Sequence, residues 1–150
     1  MAKVLSVNIS VEKGTVKEPV EQIGLIANYG IQGDAHAGNW HRQVSLLADE
    51  SIDEMRALGI ENLHYGIFAE NITTCDIELH TLPVGTILAV GTGILEVTQI
   101  GKECHYGCEI FKKVGKCVMP QRGIFARVLK SGTVRAGDEI LVLDGYNEND

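Results

Sequence analysis

Cys104 stands in the run Gln99-Ile-Gly-Lys-Glu-Cys-His-Tyr-Gly-Cys108, directly after a strand-like segment and flanked by Lys102 and His105. Nearby cations stabilise a thiolate, the form of cysteine that attacks electrophiles, carries sulfur or binds a soft metal. Cys104 is therefore expected to have the lowest pKa of the four thiols. Cys108 lies one helical turn further on and would be a resolving thiol if the intervening residues are helical. A zinc site built from Cys104, Cys108, Cys117 and His105 is disfavoured, because the spacings fit neither a C-x-x-C knuckle nor a Cys-Cys-His-His finger. Cys75 and Cys117 read as small buried hydrophobes.

A second polar concentration lies in Gly33-Asp-Ala-His-Ala-Gly38 and Asn39-Trp-His-Arg42. Its glycines permit backbone conformations closed to other residues and let a ligand approach closely. Asp34 offers an acceptor, His36 and His41 titratable rings, and Arg42 a fork that matches a phosphate. The segment reads equally well as a surface loop in which Asp34 makes a turn and pairs with Arg42. In Glu70-Asn71 an acid and an amide precede a β-rich stretch, where the amide would orient a heterocycle or simply form a turn.

Charge points to the kind of ligand. Eight of the 13 Lys and Arg lie between Lys102 and Arg135, opposed there by Glu103 and Glu109 alone, whereas the 150-residue chain carries a net −7. A positive segment on a negative protein suggests a small anion such as a phosphate; a nucleic-acid binder is more often basic overall. Aromatic content of 5% also weakens any case for stacking on single-stranded nucleic acid. With 45% hydrophobic residues the chain can bury a core without disulfide staples. No apolar run approaches the roughly 20 residues that span a membrane, and Met-Ala-Lys-Val-Leu-Ser lacks a signal-peptide pattern. Four cysteines without such a signal are expected to be reduced thiols in a cytoplasmic protein.

The elements that must position these residues are mostly strands punctuated by glycine. Leu5, Val7, Ile9 and Val11 alternate with polar residues and predict a half-buried first strand. Gln43–Leu47 predicts a short strand, and Asp49–Leu58 a helix capped by Asp49, with Ile52, Met55 and Leu58 on one face and Gly59 as its stop. Glu70–Thr73 predicts another short strand. Gly85–Val90 and Ile94–Ile100, joined by Gly91-Thr-Gly93, predict a hairpin. Tyr106–Val114 suggests a helix, Ile124–Leu129 a strand, and Ala136–Leu143 a turn leading into a last strand. Together these predict a mainly β protein, a small β-barrel of short strands with one or two peripheral helices. Residues 1–143 read as a single domain, and the acidic stretch 144–150 as a frayed tail.

The sequence resembles the MOSC domain, the C-terminal domain of eukaryotic molybdenum cofactor sulfurases that also occurs as small stand-alone bacterial proteins. The matching phrases run in order along the chain. They are Gly30-Ile-Gln-Gly-Asp-Ala-His-Ala-Gly38, Arg42-Gln-Val-Ser-Leu-Leu47, Gly66-Ile-Phe-Ala-Glu-Asn-Ile-Thr73 and Leu82-Pro-Val-Gly-Thr-Ile-Leu88, then Glu96-Val-Thr-Gln-Ile-Gly-Lys-Glu-Cys104, Gln121-Arg-Gly-Ile-Phe-Ala-Arg-Val-Leu129 and Gly132-Thr-Val-Arg-Ala-Gly-Asp-Glu-Ile140.

The resemblance implies a β-barrel whose characteristic cysteine is Cys104, thought to carry sulfur or to bind the molybdenum of a pterin cofactor. Where the family usually has Pro-Cys, this chain has Glu103-Cys104, and Cys108 is an addition. The implied function is handling of the molybdenum cofactor (molybdopterin). Lys102, Arg42 and Arg122 would supply positive charge, Asp34, His36 and Asn71 would line the pocket, and Cys104 would accept or deliver sulfur or ligate the metal. A cysteine desulfurase as donor and a molybdoenzyme as acceptor are the implied partners. Pyridoxal phosphate belongs to the sulfurase's separate desulfurase domain and is not expected in this chain. Two other readings are a molybdenum-dependent reductase of N-hydroxylated compounds and a non-catalytic binder of molybdate or metal.

Overall fold

The run Val44-Ser-Leu-Leu-Ala48 has no polar face, and in the computed structural model all five residues are buried in strand β5 (Val44–Ala48). The structure describes residues 1–13, 15–102 and 119–146. A strand with no wet side must be covered on both faces. On one face Val44, Leu46 and Ala48 join the main core with Val4, Val7, Ile72, Leu95, Val97 and Ile124. On the other, Leu47 packs with Ile52, Met55, Ile67, Phe68 and Phe125 in a second cluster.

β5 is one of eleven strands among the described residues. The others are β1 (Lys3–Ile9), β2 (Glu18–Val20), β3 (Gln22–Ile26), β4 (Gly30–Ile31), β6 (Ile72–Cys75), β7 (Ile87–Val90), β8 (Gly93–Ile100), β9 (Ile124–Lys130), β10 (Gly132–Arg135) and β11 (Ile140–Leu143). Eight form one sheet in the order β11-β7-β8-β9-β5-β6-β1-β2, and β10-β3-β4 form a second. Only the β5–β6 pair is parallel among the described ladders; the long path between them carries helix α1 (Asp49–Arg56) and the loop that follows.

The architecture is mainly β, as expected, but the sheet is not closed into a barrel. Its order ends at β2 and β11, and no ladder joins those edges among the described residues. The approach is nonetheless close. An isolated Lys3–Glu139 bridge forms, and Ile140 N donates to Ala2 O at 3.0 Å and Val4 N to Asp138 O at 2.8 Å. The beginning of β1 is thereby fastened to the turn that leads into β11.

The β7–β8 hairpin forms as predicted, with Leu88 opposite Leu95 and Val90 opposite Gly93. Three expectations need correction. In β1 the buried residues are Val4, Ser6, Val7 and Asn8, and Val11 lies outside the strand, 85% exposed. The ladder to β6 shifts register between Val4 and Ser6, which resets the alternation, and the buried polar residues are held by hydrogen bonds instead of being solvated. In α1, Asp49 is the first helical residue and makes no cap bond; Ala48 occupies the cap, and Asp49 Oδ1 accepts from Arg56 Nη2 at 2.9 Å. Ile52 and Met55 are buried, stabilising the fold by about 1.5–3 kcal/mol each. Leu58 falls beyond the last helical turn and is 56% exposed. The predicted helix over Tyr106–Val114 lies outside the described residues, as do Cys104, His105, Cys108, Cys117 and the last four residues of the tail.

Candidate functional site

Lys17 is fully buried. Its backbone is admitted by Gly66, whose carbonyl accepts from Lys17 N at 2.8 Å. Gly66 has φ +94, and a Cβ there would lie 2.4 Å from Lys17 O, so no other residue fits without moving the chain. The Lys17 ammonium has three partners: Asp34 Oδ1 at 2.7 Å, Ser10 Oγ at 3.1 Å and His36 Nδ1 at 3.1 Å. Asp34 is buried as well; its Oδ1 also accepts from Ser10 N at 3.1 Å and its Oδ2 from His36 N at 3.0 Å. The glycine-rich loop is thus organised around an internal ion pair. Asp34 pairs with Lys17, not with Arg42, which corrects the surface-loop reading. Burial pushes the Lys17 pKa down, and the Asp34 carboxylate opposes that shift.

His36 sits against this pair with 26% of its side chain exposed. Burial, with the positive charges of Lys17, Lys102 and Lys13, drives its pKa from 6.5 to about 4, against the pull of Asp34. The folded protein thus keeps His36 neutral through a range in which the unfolded chain binds a proton. Stability attributable to His36 is present above pH 6.5 and is lost as pH falls from 6.5 towards 4. The shift corresponds to about 3 kcal/mol. His36→Gln is expected to flatten that part of a stability–pH curve, measured by urea unfolding at pH 7.5, 5.5 and 4.5. An unchanged slope would show that other groups set it.

The next residues extend the site as a chain of contacts. Trp40 lies parallel to His36 with ring centroids 6.4 Å apart, and its Nε1 donates to His36 O at 2.7 Å. His41 meets Trp40 edge-on at 5.9 Å. Arg42 Nε donates to Gln99 Oε1 at 3.0 Å, His41 Nε2 lies 2.9 Å from the same oxygen, and Thr98 Oγ1 donates to His41 O. The Arg42 guanidinium lies over the Phe125 ring, 5.2 Å from its centroid, and its Nη atoms make no hydrogen bond among the described residues. Gln99 Nε2 donates to Gly101 O at 2.8 Å, which fixes the end of β8 as it turns toward Lys102. Lys102 is close enough for its charge to act on both Lys17 and His36. Cys104 follows two residues later, outside the described residues.

The remaining expected site residues are placed elsewhere. Asn71 is fully buried: its Oδ1 accepts from Ser45 N at 2.9 Å and Ser45 Oγ at 3.1 Å, and its Nδ2 donates to Asn8 O at 3.1 Å. Glu70 accepts from Thr73 Oγ1 at 2.8 Å and Phe68 N at 3.2 Å, and its burial raises its pKa. These bonds lock β1, β5 and β6 together beneath the loop that carries Asp34. Arg122 is at the opposite end of β5, where its Nη1 lies 2.8 Å from His80 Nε2 and its Nε 3.2 Å from Glu54 Oε1. Glu54 and His80 line a separate cavity of about 600 Å³ together with Glu50, Asp76 and Glu78. Cys75 is half-buried beside Asp76, and burial followed by the Asp76 and Glu50 charges raises its pKa, as suits an unreactive thiol.

Lys17 is the residue that sequence reasoning missed. It sits in the polar-looking phrase Thr15-Val-Lys-Glu-Pro, where hydropathy gives no sign of a buried ammonium. Among the described residues no group of three or more His, Cys, Asp or Glu is arranged to hold a metal ion. The charged groups that act on His36 in this cluster are Lys17, Asp34, Lys102 and Lys13, and Arg42 is tied in through Gln99.

Comparisons with known proteins agree on the architecture. The fold is similar to the YuaD protein from Bacillus subtilis, with TM-score 0.78 and 20% identity over 93% of this chain and 94% of that one. It is similar also to YiiM from Geobacillus stearothermophilus (TM-score 0.69, 18% identity, 96% of this chain and 76% of that one). YiiM from Escherichia coli matches with TM-score 0.61 and 18% identity, over 98% of this chain and 70% of that one. No curated protein sequence matches the chain. The sequence model of the MOSC domain matches residues 33–141, from the loop of Asp34 into the last strand, and the chain therefore belongs to the MOSC domain family.

Proposed function

We propose that this protein handles the molybdenum cofactor, holding its anionic pterin end on the cationic face and acting through Cys104. MOSC domains are broadly associated with molybdenum cofactor binding. The observation that supports the reading for this chain is Arg42, whose Nη atoms make no hydrogen bond among the described residues while its Nε is held by the Gln99 side chain that also bonds Gly101 O, next to Lys102. A phosphate fits such a surface, with Lys102 and Arg42 as cations and His36 as a neutral donor. When bound, the cofactor would supply a molybdenum centre for which a thiolate is a suitable soft ligand.

The chain's own residues then have distinct tasks. Arg42, braced on Gln99 and Phe125, presents its outer guanidinium nitrogens to the ligand. Asp34 holds Lys17 and the backbone of His36, while Asn71 and Glu70 fix the strands beneath them. Arg122, held by His80 and Glu54 at the opposite end of β5, stands apart from this face. Cys104, with Lys102 two residues before it, is the sulfur-handling group. As a sulfur carrier it attacks the outer sulfur of a donor persulfide, becomes Cys104–S–SH, and releases the donor's thiolate. A cysteine desulfurase is the donor and a molybdoenzyme the acceptor in this scheme. The reaction belongs in the cytoplasm, where these thiols stay reduced. No described helix is long and apolar enough to cross a membrane.

The test is pterin fluorescence from protein purified out of a host that makes the cofactor. Wild type is expected to release pterin, and Arg42→Gln with Lys102→Gln to release at least about tenfold less, since charge-assisted hydrogen bonds contribute about 1.5–3 kcal/mol each. Absence of pterin in the wild type would remove the proposal. Turnover of N-hydroxylated compounds by the loaded protein would assign it to the reductase reading instead of sulfur delivery.

A further inference from the structure

The buried ammonium has a consequence for the ring beside it. An ammonium has three donors and no acceptor, and Lys17 Nζ is met by three acceptors: a carboxylate oxygen, a hydroxyl oxygen and an imidazole nitrogen. The imidazole nitrogen is His36 Nδ1. A nitrogen that accepts a hydrogen bond carries no proton, so the proton of the neutral ring is on Nε2. His36 Nε2 has no hydrogen-bond partner among the described residues, and the ring is one of the partly exposed members of the cluster.

We infer that Lys17 is a positioning residue that fixes His36 in its Nε2–H tautomer and so presents a neutral N–H donor to an anionic oxygen of the ligand. The ligand half of this statement rests on the proposed function; the tautomer does not. The ring is held from several sides. Asp34 Oδ2 is 3.8 Å from Nδ1, Asp34 also fixes the His36 backbone, and Trp40 binds His36 O. The charged groups acting on His36 are Lys17, Asp34, Lys102 and Lys13, and Glu70 acts on Lys17 from beneath. Burial and then three positive charges out of the four acting directly on the ring oppose protonation, so the imidazole remains a donor through one nitrogen only. A donor of this kind does not change with pH across the physiological range, unlike an ordinary surface histidine.

Long-range proton–nitrogen NMR of the wild-type protein tests the tautomer without any variant. The expected spectrum has Nδ1 unprotonated and Nε2 protonated, unchanged from pH 8 to pH 5. An Nδ1–H tautomer, or an imidazolium at pH 6, would overturn the inference. The variant pair Lys17→Met with Asp34→Asn removes the ammonium without leaving a lone buried carboxylate. In it the two tautomers are expected to mix; a ring still held wholly in the Nε2–H form would show that Lys17 does not position it. Titration of the wild type with inorganic phosphate is expected to move the Nε2–H resonance, and an unmoved resonance at saturating phosphate overturns the donor role. If the tautomer is found but the protein never retains pterin, the proposed function fails while the Lys17–His36 assignment stands.

Discussion

Replacing Lys17 by methionine is expected to destabilise the protein by about 3–5 kcal/mol, the usual cost of removing one partner of a buried ion pair. The Asp34 carboxylate would be left buried with Ser10 N and His36 N as its remaining donors and no cation beside it. Attraction alone does not explain the size of the effect, because taking both charges out of water offsets much of the pair's Coulomb energy. Most of the loss comes from the stranded charge. Asp34→Asn with Lys17→Met should therefore be more stable than Lys17→Met alone, which a double-mutant cycle measured by urea unfolding would reveal. A single-variant loss below about 1 kcal/mol would mean that Asp34 reaches water or is protonated, and that the loop is not built on the pair.

Cys104→Ser is expected to abolish sulfur loading. Incubation with a cysteine desulfurase and cysteine should add one sulfur, about 32 Da, at Cys104 of the wild type and nothing at that position in the variant. Stability should change little, since serine is nearly isosteric with cysteine. Cys108→Ser should leave loading intact and slow release if Cys108 resolves the persulfide. Unfolding of Cys104→Ser, or release of stoichiometric zinc, would make the cysteine structural and end the relay account. Unchanged mass labelling in the variant would equally remove Cys104 as the carrier.

The parts of this fold legible in the sequence are those dictated by local rules. Gly91-Thr-Gly93 between two apolar runs forms the β7–β8 hairpin, and Gly59, with φ +87, terminates the turn after α1. β9 was readable from its apolar run. β5 is legible as a strand, although only tertiary packing explains why Ser45 is buried with it. The three-stranded sheet is not legible in the sequence because β4 has two residues and β3 only five, with Gly24 at its centre. The phase of β1 departs from simple alternation for a different reason. Asn8 looks solvent-facing by type, yet its side chain joins Glu70 O and Thr73 Oγ1 in the interior.

The site divides in the same way. Asp34, His36 and Lys102 stand out by residue type, and the structure brings the charges of Asp34 and Lys102 to bear on His36, with Arg42 held by Gln99 nearby. Asn71 was identified from its neighbourhood in sequence, but its amide faces Ser45 and Asn8 within the framework. Lys17 was invisible, since a buried lysine is recognisable only once its partner is known, and Asp34 is 17 residues away. Arg122 shared a basic stretch with Lys102, yet strand β9 begins at the end of β5 that carries α1, so the two cations separate.

Molybdenum per chain, measured by elemental analysis on protein from a cofactor-producing host, tests the central claim most directly. The account predicts close to one molybdenum per chain, matched by one pterin, in the wild type, with both reduced together when Arg42 and Lys102 lose their charge. Wild-type protein that carries neither molybdenum nor pterin from such a host would contradict it.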